Sequence, residues 1–569
     1  MSSITSGERL ILASELKEKA NIESVDATSF HWNDEFDQWR ARLQGKWNAA
    51  YECIDRHVDE GRGDRVAMIY VNDDIHEEIT YRQLKNETDR LAVVIKAKGI
   101  KRGERVFTLL PKTPNAYIAV LAIIKAGAVA GPLFEAFQED AIFERMYNCD
   151  AKMIITDAQL KSRVPSNKLP ALEHILIDGE GADKESGEYH LQEELESVSK
   201  ESASQVTEWM DENEGMIIHY TSGSTGQPKG VLHSHRAIVQ QKKTGEWVLD
   251  LKENDVYWCT SHPGWVTGSS YGIFAPFLNG STNLINTGRF DANEWYSYIE
   301  RFKVTVWYSA PTAFRMLKAA GGQELIERYN LSSLRHVLSV GEPLNPEIVK
   351  WGYEKLNVRI HDTWWMTETG AQLIVNLPNQ TIKAGSMGRP LPGITVAILD
   401  EEGNQLPRGV VGQLAVRKGW PSMMREIWKN EEKYRSYFPY DGEWYVSGDL
   451  AYQDEEGFVF FQSRNDDMIN SSGERIGPFE VESALITHDA VIEAAVVGKA
   501  DDLRGEIVKG FVVLHPDYEE SPTLLEEIRL HVRGKLAAHA APREIEVLKE
   551  LPKTRISGKI MRRLLKEQA

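Results

Sequence analysis

The segment YTSGSTGQPKG, Tyr220 to Gly230, combines glycines at 223, 226 and 230 with the hydroxyls of Thr221, Ser222, Ser224 and Thr225 and the cation of Lys229. Glycines let a backbone turn tightly and approach a ligand, hydroxyls donate to phosphate oxygens, and an ammonium neutralises them. The segment is suited to binding phosphate. The spacing GxxxxGK[ST] is absent, so it is not a Walker A loop. Apolar runs on both sides, MIIHY and VLH, predict a loop fixed in a hairpin-like setting rather than a mobile Ser/Gly connector.

Near the other end, LPKTRISGKIMRR presents Lys559 either as an active-site cation or as one charge on an amphipathic tail helix. A different motif is a decoy. GSSYG at 268–272 satisfies GxSxG, which would make Ser270 a hydrolase nucleophile, but that elbow needs a strand immediately before it. The turn-rich HPGWVT precedes it here, which argues against a hydrolase.

The phosphate loop resembles the signature of the adenylate-forming superfamily of acyl-CoA synthetases, luciferases and peptide-synthetase adenylation domains. Four further segments match in the expected order: SVGEP at 339–343, HDTWWMTETG at 361–370, YVSGDLA at 445–451 and SGERIG at 472–477. Within the superfamily the chain is most similar to the bacterial acetyl-CoA synthetases, over nearly its whole length. The resemblance implies a two-step reaction, with the substrates acetate, ATP and CoA and with Mg2+. A carboxylate attacks the α-phosphate of ATP to give acyl-adenylate and pyrophosphate, and CoA then takes the acyl group and releases AMP.

The same resemblance assigns roles. Gly341, Glu342 and Pro343 line the adenine side, with Asp362, Thr363 and Trp364 opposite. Asp449 accepts from the ribose hydroxyls, and Arg464 is a second ribose contact. Thr367 touches phosphate, and Glu368 is a magnesium ligand, because magnesium binds hard oxygen and needs few protein carboxylates beside ATP. Val266, Thr267, Val340 and Trp365 form the acyl pocket, where an indole at the far end leaves room for a short chain only. Asp466 is the hinge of a mobile domain, Ser472 and Gly473 line the pantetheine tunnel, Arg475 is a catalytic phosphate contact, and Arg533 meets the CoA nucleotide. Lys559 is the adenylation lysine and, at the family level, a target of a lysine acetyltransferase and deacetylase.

Three positions depart from the family pattern. His262 stands where an aspartate is common, and Ser463 replaces a glycine before Arg464. Ile556 is an insertion into the PKTRSGK form, worth roughly 3.5 Å of chain. A lysine held by a helix beginning in KIMRRLLKEQ would keep its place while the insertion bulges at 555–557. The competing readings are a synthetase for propionate or another short acid, a related adenylating enzyme with another acceptor, and a catalytically impaired ATP-binding homologue.

These residues must be positioned by an α/β scaffold. RVFTLL, PKTPNAYIAVLAIIKAG and AVAGPLF read as strand, helix, strand, with Thr113 as N-cap, Pro114 at the first helical position and Gly127 as the stop. KMIIT, HILID and VTVWYS continue the alternation, which predicts partly parallel sheets. Residues 178–215 read as polar surface loops with a short helix. Near residue 465 the character changes to polar, turn-rich sequence and then a helix (FEVESALITH) and a strand (IEAAVVG). The expected organisation is therefore a large multi-sheet adenylation domain over 1–465 and a small mobile α+β lid over 466–569.

The 569 residues are enough for about two to four domains. A net charge of −19 argues against nucleic acid as the main partner. The three scattered cysteines fit a reduced, cytoplasmic protein without a metal finger. The apolar run 116–134 is interrupted by Lys125, Gly127, Gly131 and Pro132, so no membrane span is expected, and the N-terminus has no secretory core.

Overall fold

The computed structural model describes every residue except 1–8, 12–18, 25–28, 73–74, 200–205, 223–227, 289, 321, 472–473, 502–503, 537 and 554–559. For residues 9–11, 24, 222, 322–323 and 475 it describes the backbone alone.

The predicted strand–helix–strand unit forms as Arg105–Leu109, Pro114–Lys125 and Val129–Leu133, with the two strands parallel and adjacent. Every residue of the helix from Ala116 to Lys125 is buried. A helix apolar on all sides belongs in an interior, and this one packs in a core shared by two sheets. Its single charge, Lys125, lies 2.7 Å from Asp55 and 2.6 Å from Asp89, because a buried ammonium persists only when paired. Among the described residues no helix is long and apolar enough to cross a membrane. Thr113 does precede the helix, yet its hydroxyl makes no capping bond and turns to the Pro111 carbonyl instead. Gly127 ends the helix at φ +82°, a conformation glycine adopts without strain.

Met153–Asp157, His174–Asp178 and Glu188–His190 extend this sheet in parallel on one side. The last of them lies in the stretch read as loops and one short helix; the helix is present as Leu191–Glu196. On the other side the sheet continues into the antiparallel hairpin Gly215–Ser222 and Pro228–Ser234, edged by Glu426–Ile427. The phosphate-loop segment therefore spans the hairpin connection, as its apolar flanks predict.

A second sheet has nine strands. Its parallel centre comprises Ile360–Trp364, His336–Ser339, Val306–Ser309, Val256–Cys259, Thr282–Asn286 and Val66–Asn72. A four-stranded antiparallel sheet, Val396–Leu399, Gly412–Arg417, Trp444–Gln453 and Val459–Arg464, follows in the chain.

After Arg464 the chain enters a separate five-stranded sheet. The stretch read as turn-rich includes two short paired strands, Ile469–Ser471 and Glu474–Ile476. The helices Pro478–Ile486 and Pro522–Lys535 pack on this sheet, while Leu551 and Leu565 pack with Ala495, Val497 and Phe511. The terminal helix spans Arg562–Gln568, three residues later than a helix beginning at Lys559 requires. Ile560 instead bridges to Lys553, and Met561 N–H donates to the Pro552 carbonyl at 2.8 Å.

Candidate active site

Two of the expected motifs, SVGEP and HDTWWMTETG, meet because they follow neighbouring strands. Parallel strands place their carboxyl ends on one side of a sheet, where ligand sites form in open α/β folds. Ser339 is in register with Asp362, so Val340–Pro343 and Trp364–Glu368 leave the sheet side by side. The hairpin joins them through His233, whose Nε2 donates to the Thr367 carbonyl at 2.7 Å. Trp364 Nε1 donates to Asp449 Oδ2 at 2.8 Å and ties in the four-stranded sheet.

Asp449 is buried, follows Gly448 at φ +80°, and pairs with Arg464 at 3.2 Å across two adjacent strands. Burial lowers the pKa of Arg464, but Asp449 and the neighbouring Asp466 and Glu368 together raise it above the usual value. Asp362 and Thr363 present less than their assigned roles suggest. Asp362 Oδ1 accepts from Thr363 N–H at 3.0 Å, and burial pushes its carboxyl well up. The Thr363 hydroxyl donates inward to the Ser339 carbonyl at 2.7 Å. Their backbones are engaged as well: the Asp362 carbonyl accepts from Asn376 N–H at 3.2 Å, and Thr363 pairs with Val375 on the adjacent strand. Glu342 is similarly engaged, with Arg315 at 2.7 Å and the Thr312 hydroxyl at 2.8 Å. Gly341 remains exposed at φ +92°.

Among the residues expected to meet phosphate or magnesium, Glu368 is buried and its Oε1 accepts from Tyr437 Oη at 2.7 Å. Lys229 is in register with Thr221 at the base of the hairpin loop, and its ammonium lies 5.8 Å from the Tyr437 ring centroid. The Thr367 hydroxyl has no partner among the described residues, while its carbonyl is fixed by His233. No group of three His, Cys, Asp or Glu side chains able to hold a metal occurs among the described residues. Magnesium needs only one or two carboxylates beside nucleotide oxygens. A buried carboxylate steadied by one phenol, with Oε2 accepting no bond among the described residues, fits that requirement.

The four residues expected to form the acyl pocket lie in or beside one apolar region. Val340 and Trp365 are buried in one apolar cluster with Tyr271 and Tyr308, and Val266 packs against it. Thr267 is half-buried on the next position of the same helical turn. The Trp365 indole is locked: Nε1 donates to Tyr308 Oη at 3.1 Å, and the Tyr271 ring meets it edge-on at 5.0 Å. Gln372 Nε2 donates to the same Tyr308 oxygen at 3.0 Å. His262 anchors the segment before the pocket. Its Nε2 donates to the Leu110 carbonyl at 3.1 Å, which an ionised aspartate cannot do, and Nδ1 accepts from Gly264 N–H at 2.8 Å. Burial keeps it neutral, with its pKa pushed down to about 3. Ser270 lies inside a helix with its hydroxyl donating to the Gly370 carbonyl at 3.0 Å, so the nucleophile elbow is absent.

The later part of the chain contributes fewer described groups. Gly223, Ser224, Thr225, Gly226, Ser472, Gly473 and Lys559 lie outside the described residues, and Ser222 and Arg475 are described by backbone only, Arg475 in register with Asn470. Arg533 is exposed on Pro522–Lys535 and makes no ion pair among the described residues. Asp466 lies in the turn after Arg464, where its carbonyl accepts from Lys566 Nζ at 3.0 Å. Arg562 pairs with Glu482 at 2.7 Å and stands near enough to Glu342 for that carboxylate to help raise its pKa.

Sequence reasoning missed Tyr271, Tyr308, Gln372 and Tyr437, which hold the expected site residues in place. A tyrosine within the buried strand VWYS and a Lys/Tyr cluster directly upstream of YVSGDLA were the available signals.

The AMP-binding enzyme family model matches residues 54–428, and that of the AMP-binding enzyme C-terminal domain matches 480–559. An acetyl-coenzyme A synthetase of Bacillus subtilis is 54% identical over 96% of this chain and 95% of its own. One of Rubrobacter xylanophilus is 40% identical over 95% and 88%. Among solved structures, an anthranilate CoA ligase in complex with anthranoyl-AMP is 30% identical with a TM-score of 0.84, covering 93% of this chain and 98% of its own. An acyl-CoA synthetase of Brucella canis is 35% identical with a TM-score of 0.73, covering 95% and 98%. The chain belongs to the AMP-binding, adenylate-forming enzymes, in the group of the acetyl-coenzyme A synthetases.

Proposed function

We propose that this chain is an ATP-dependent acetate–CoA ligase working through acetyl-adenylate. The observation that carries the substrate is Trp365, held by Tyr308 and Tyr271 so that it closes an apolar pocket with Val266 and Val340. A fixed indole leaves space for a two-carbon acid, and each added methylene meets it.

In the first half-reaction an acetate oxygen attacks the α-phosphorus, and the bond to the β-phosphate breaks with its electron pair leaving on pyrophosphate. Asp449, steadied by Trp364 and Arg464, holds the ribose. Thr367 and Lys229 would meet the phosphates, with Lys559 as the adenylation lysine. A magnesium ion held by Glu368 would offset phosphate charge. In the second half-reaction the CoA sulfur attacks the acyl carbon, the thiol proton is released and AMP departs. Charge stabilisation and positioning are the protein's main contributions.

One site serving both steps exchanges its groups by rotating the part after Asp466. Lys559 serves the first step; Arg475, Ser472 and Gly473 serve the second, with Arg533 toward the CoA nucleotide. A cytoplasmic location and reversible acetylation of Lys559 belong to the same reading. If deacetylase treatment of modified enzyme restored no activity, the acetylation proposal would fail.

Acetate-dependent ATP–pyrophosphate exchange, measured beside CoA-dependent AMP formation, tests the assignment. Both are expected. Exchange without CoA-dependent AMP would point to another acceptor, and neither would point to an impaired homologue.

A further inference from the structure

Two ammonium groups share one aromatic ring beside the phosphate hairpin. Lys433 Nζ lies 4.8 Å and Lys229 Nζ 5.8 Å from the Tyr437 ring centroid. A ring face attracts cations, but two like charges held together repel. Burial pushes the Lys229 amine down and Lys433 is the next largest cause, while Glu368 opposes the shift. Neither lysine has a carboxylate partner among the described residues. Glu368, the nearby anion, is engaged by the Tyr437 hydroxyl. Arg464, the third cation of the cluster, is already matched by Asp449. The phenol that holds Glu368 is neutral and leaves its charge in place, so among the described residues two ammonium groups face one nearby unmatched carboxylate, and the pair keeps a net positive charge.

Lys433 is not carried on a loose surface element. Asn430 caps its short helix by accepting from Lys433 N–H at 2.9 Å. Just upstream, Trp428 N–H donates to the Gly230 carbonyl at 2.7 Å, and Glu426–Ile427 pairs with Leu232 and Val231. Lys433 is thus stitched to the strand that bears Lys229. The acidic neighbour Glu431 is occupied by Arg435 one turn further along the same helix.

We propose that Lys433 is a second polyphosphate cation, which together with Lys229 takes the β- and γ-phosphates of ATP and steadies pyrophosphate as it leaves. The inference rests on the nucleotide reading of the site given above. A polyanion placed between the two amines relieves their repulsion, and its departure restores it.

The test uses the full chain with Lys433→Met, Lys433→Gln and Lys433→Arg. Acetate-dependent ATP–pyrophosphate exchange gives KM for ATP and for pyrophosphate, and thioester formation from added acetyl-adenylate gives KM for CoA. A hydrogen bond to a charged group is worth enough that losing it raises KM for ATP and pyrophosphate roughly tenfold to a hundredfold in the Met variant. KM for CoA stays unchanged, and Lys433→Arg recovers most of the loss. Should the Met variant melt early, the Gln variant carries the comparison. Unaltered pyrophosphate KM in Met and Gln variants, or equal losses in both half-reactions, overturns the proposal. Wild-type enzyme without exchange would instead sink the nucleotide reading itself.

Discussion

The part of the chain before Asp466 and the part after it build their share of the site differently. Before it, side chains are locked by buried partners: Trp365 by Tyr308, Trp364 by Asp449, Glu368 by Tyr437. After it, the described groups are less enclosed: Arg533 is exposed on its helix, Asp466 lies in a turn, and contacts among the described residues tie this part to the body at separate points. Asn345 Nδ2 donates to Ser483 Oγ at 2.9 Å, and Phe461 meets Phe479 at 5.8 Å. A fixed pocket suits the nucleotide and acid, which stay through both steps, while lightly attached groups suit an exchange between steps. The terminal helix is tied to the turn at Asp466 and Asp467 through Lys566, so rotation there would carry the Lys559 segment with it.

Lys559→Ala is the strongest way to break this contrast. Losing a charge aimed at the transition state typically costs about 100- to 1000-fold, and the loss is expected in exchange only, with thioester formation from added acetyl-adenylate retained. Equal loss in both would tie Lys559 to the fixed part of the site.

Acid should separate the two parts next. His57, His219, His235, His262 and His336 are pushed down to about 3 and His233 to about 4, mainly by burial, and all precede Asp466. The unfolded chain takes up protons near 6.5 that the folded body refuses, so stability is lost as pH falls below that value. Each such histidine contributes up to about 1.4 kcal/mol per pH unit until its folded pKa is reached. All fifteen tryptophans lie at or before Trp444, so fluorescence-detected melting reports on this part alone. A midpoint unchanged between pH 7 and 5 would refute the burial argument.

Trp365→Gly sharpens the pocket side. Each methylene is worth about 1–3 kcal/mol in such a pocket, so specificity is expected to move toward longer acids by about tenfold or more, read as kcat/KM ratios. Unchanged acetate preference would move the specificity determinant elsewhere. Asp466→Pro fixes one backbone dihedral at the expected hinge and should damage the two half-reactions unequally, by several-fold, whereas equal damage argues against a hinge.

Deleting Ile556 has the smallest expected effect. The insertion falls between Lys553 and Ile560, which pair on either side of it. Flanks held in register let a loop absorb one residue, so exchange should change by no more than a few-fold. A large gain would mean that the natural enzyme is impaired.

Much of the site was legible because its residues travel in short motifs whose chemistry depends on type: glycines and hydroxyls for phosphate, Gly-Asp for a turn that presents a carboxylate. The strand–helix alternation was equally plain in Arg105–Leu133, where every apolar position of the helix has an interior to fill. Partnership was not legible. Nothing in Thr363 says that its hydroxyl turns inward, nor in Ile560 that bridging to Lys553 delays the last helix to Arg562.

The sequence by itself determined the reaction family, the order of the motifs and the kinds of groups available. Only the tertiary structure decided which groups face one another. Lys433 and Tyr437 reach Lys229 and Glu368 because an edge strand pairs with the phosphate hairpin, and Asp449 reaches Trp364 because two sheets meet. Such contacts depend on strand order and register, which arise from packing among distant segments and leave no local pattern in the chain.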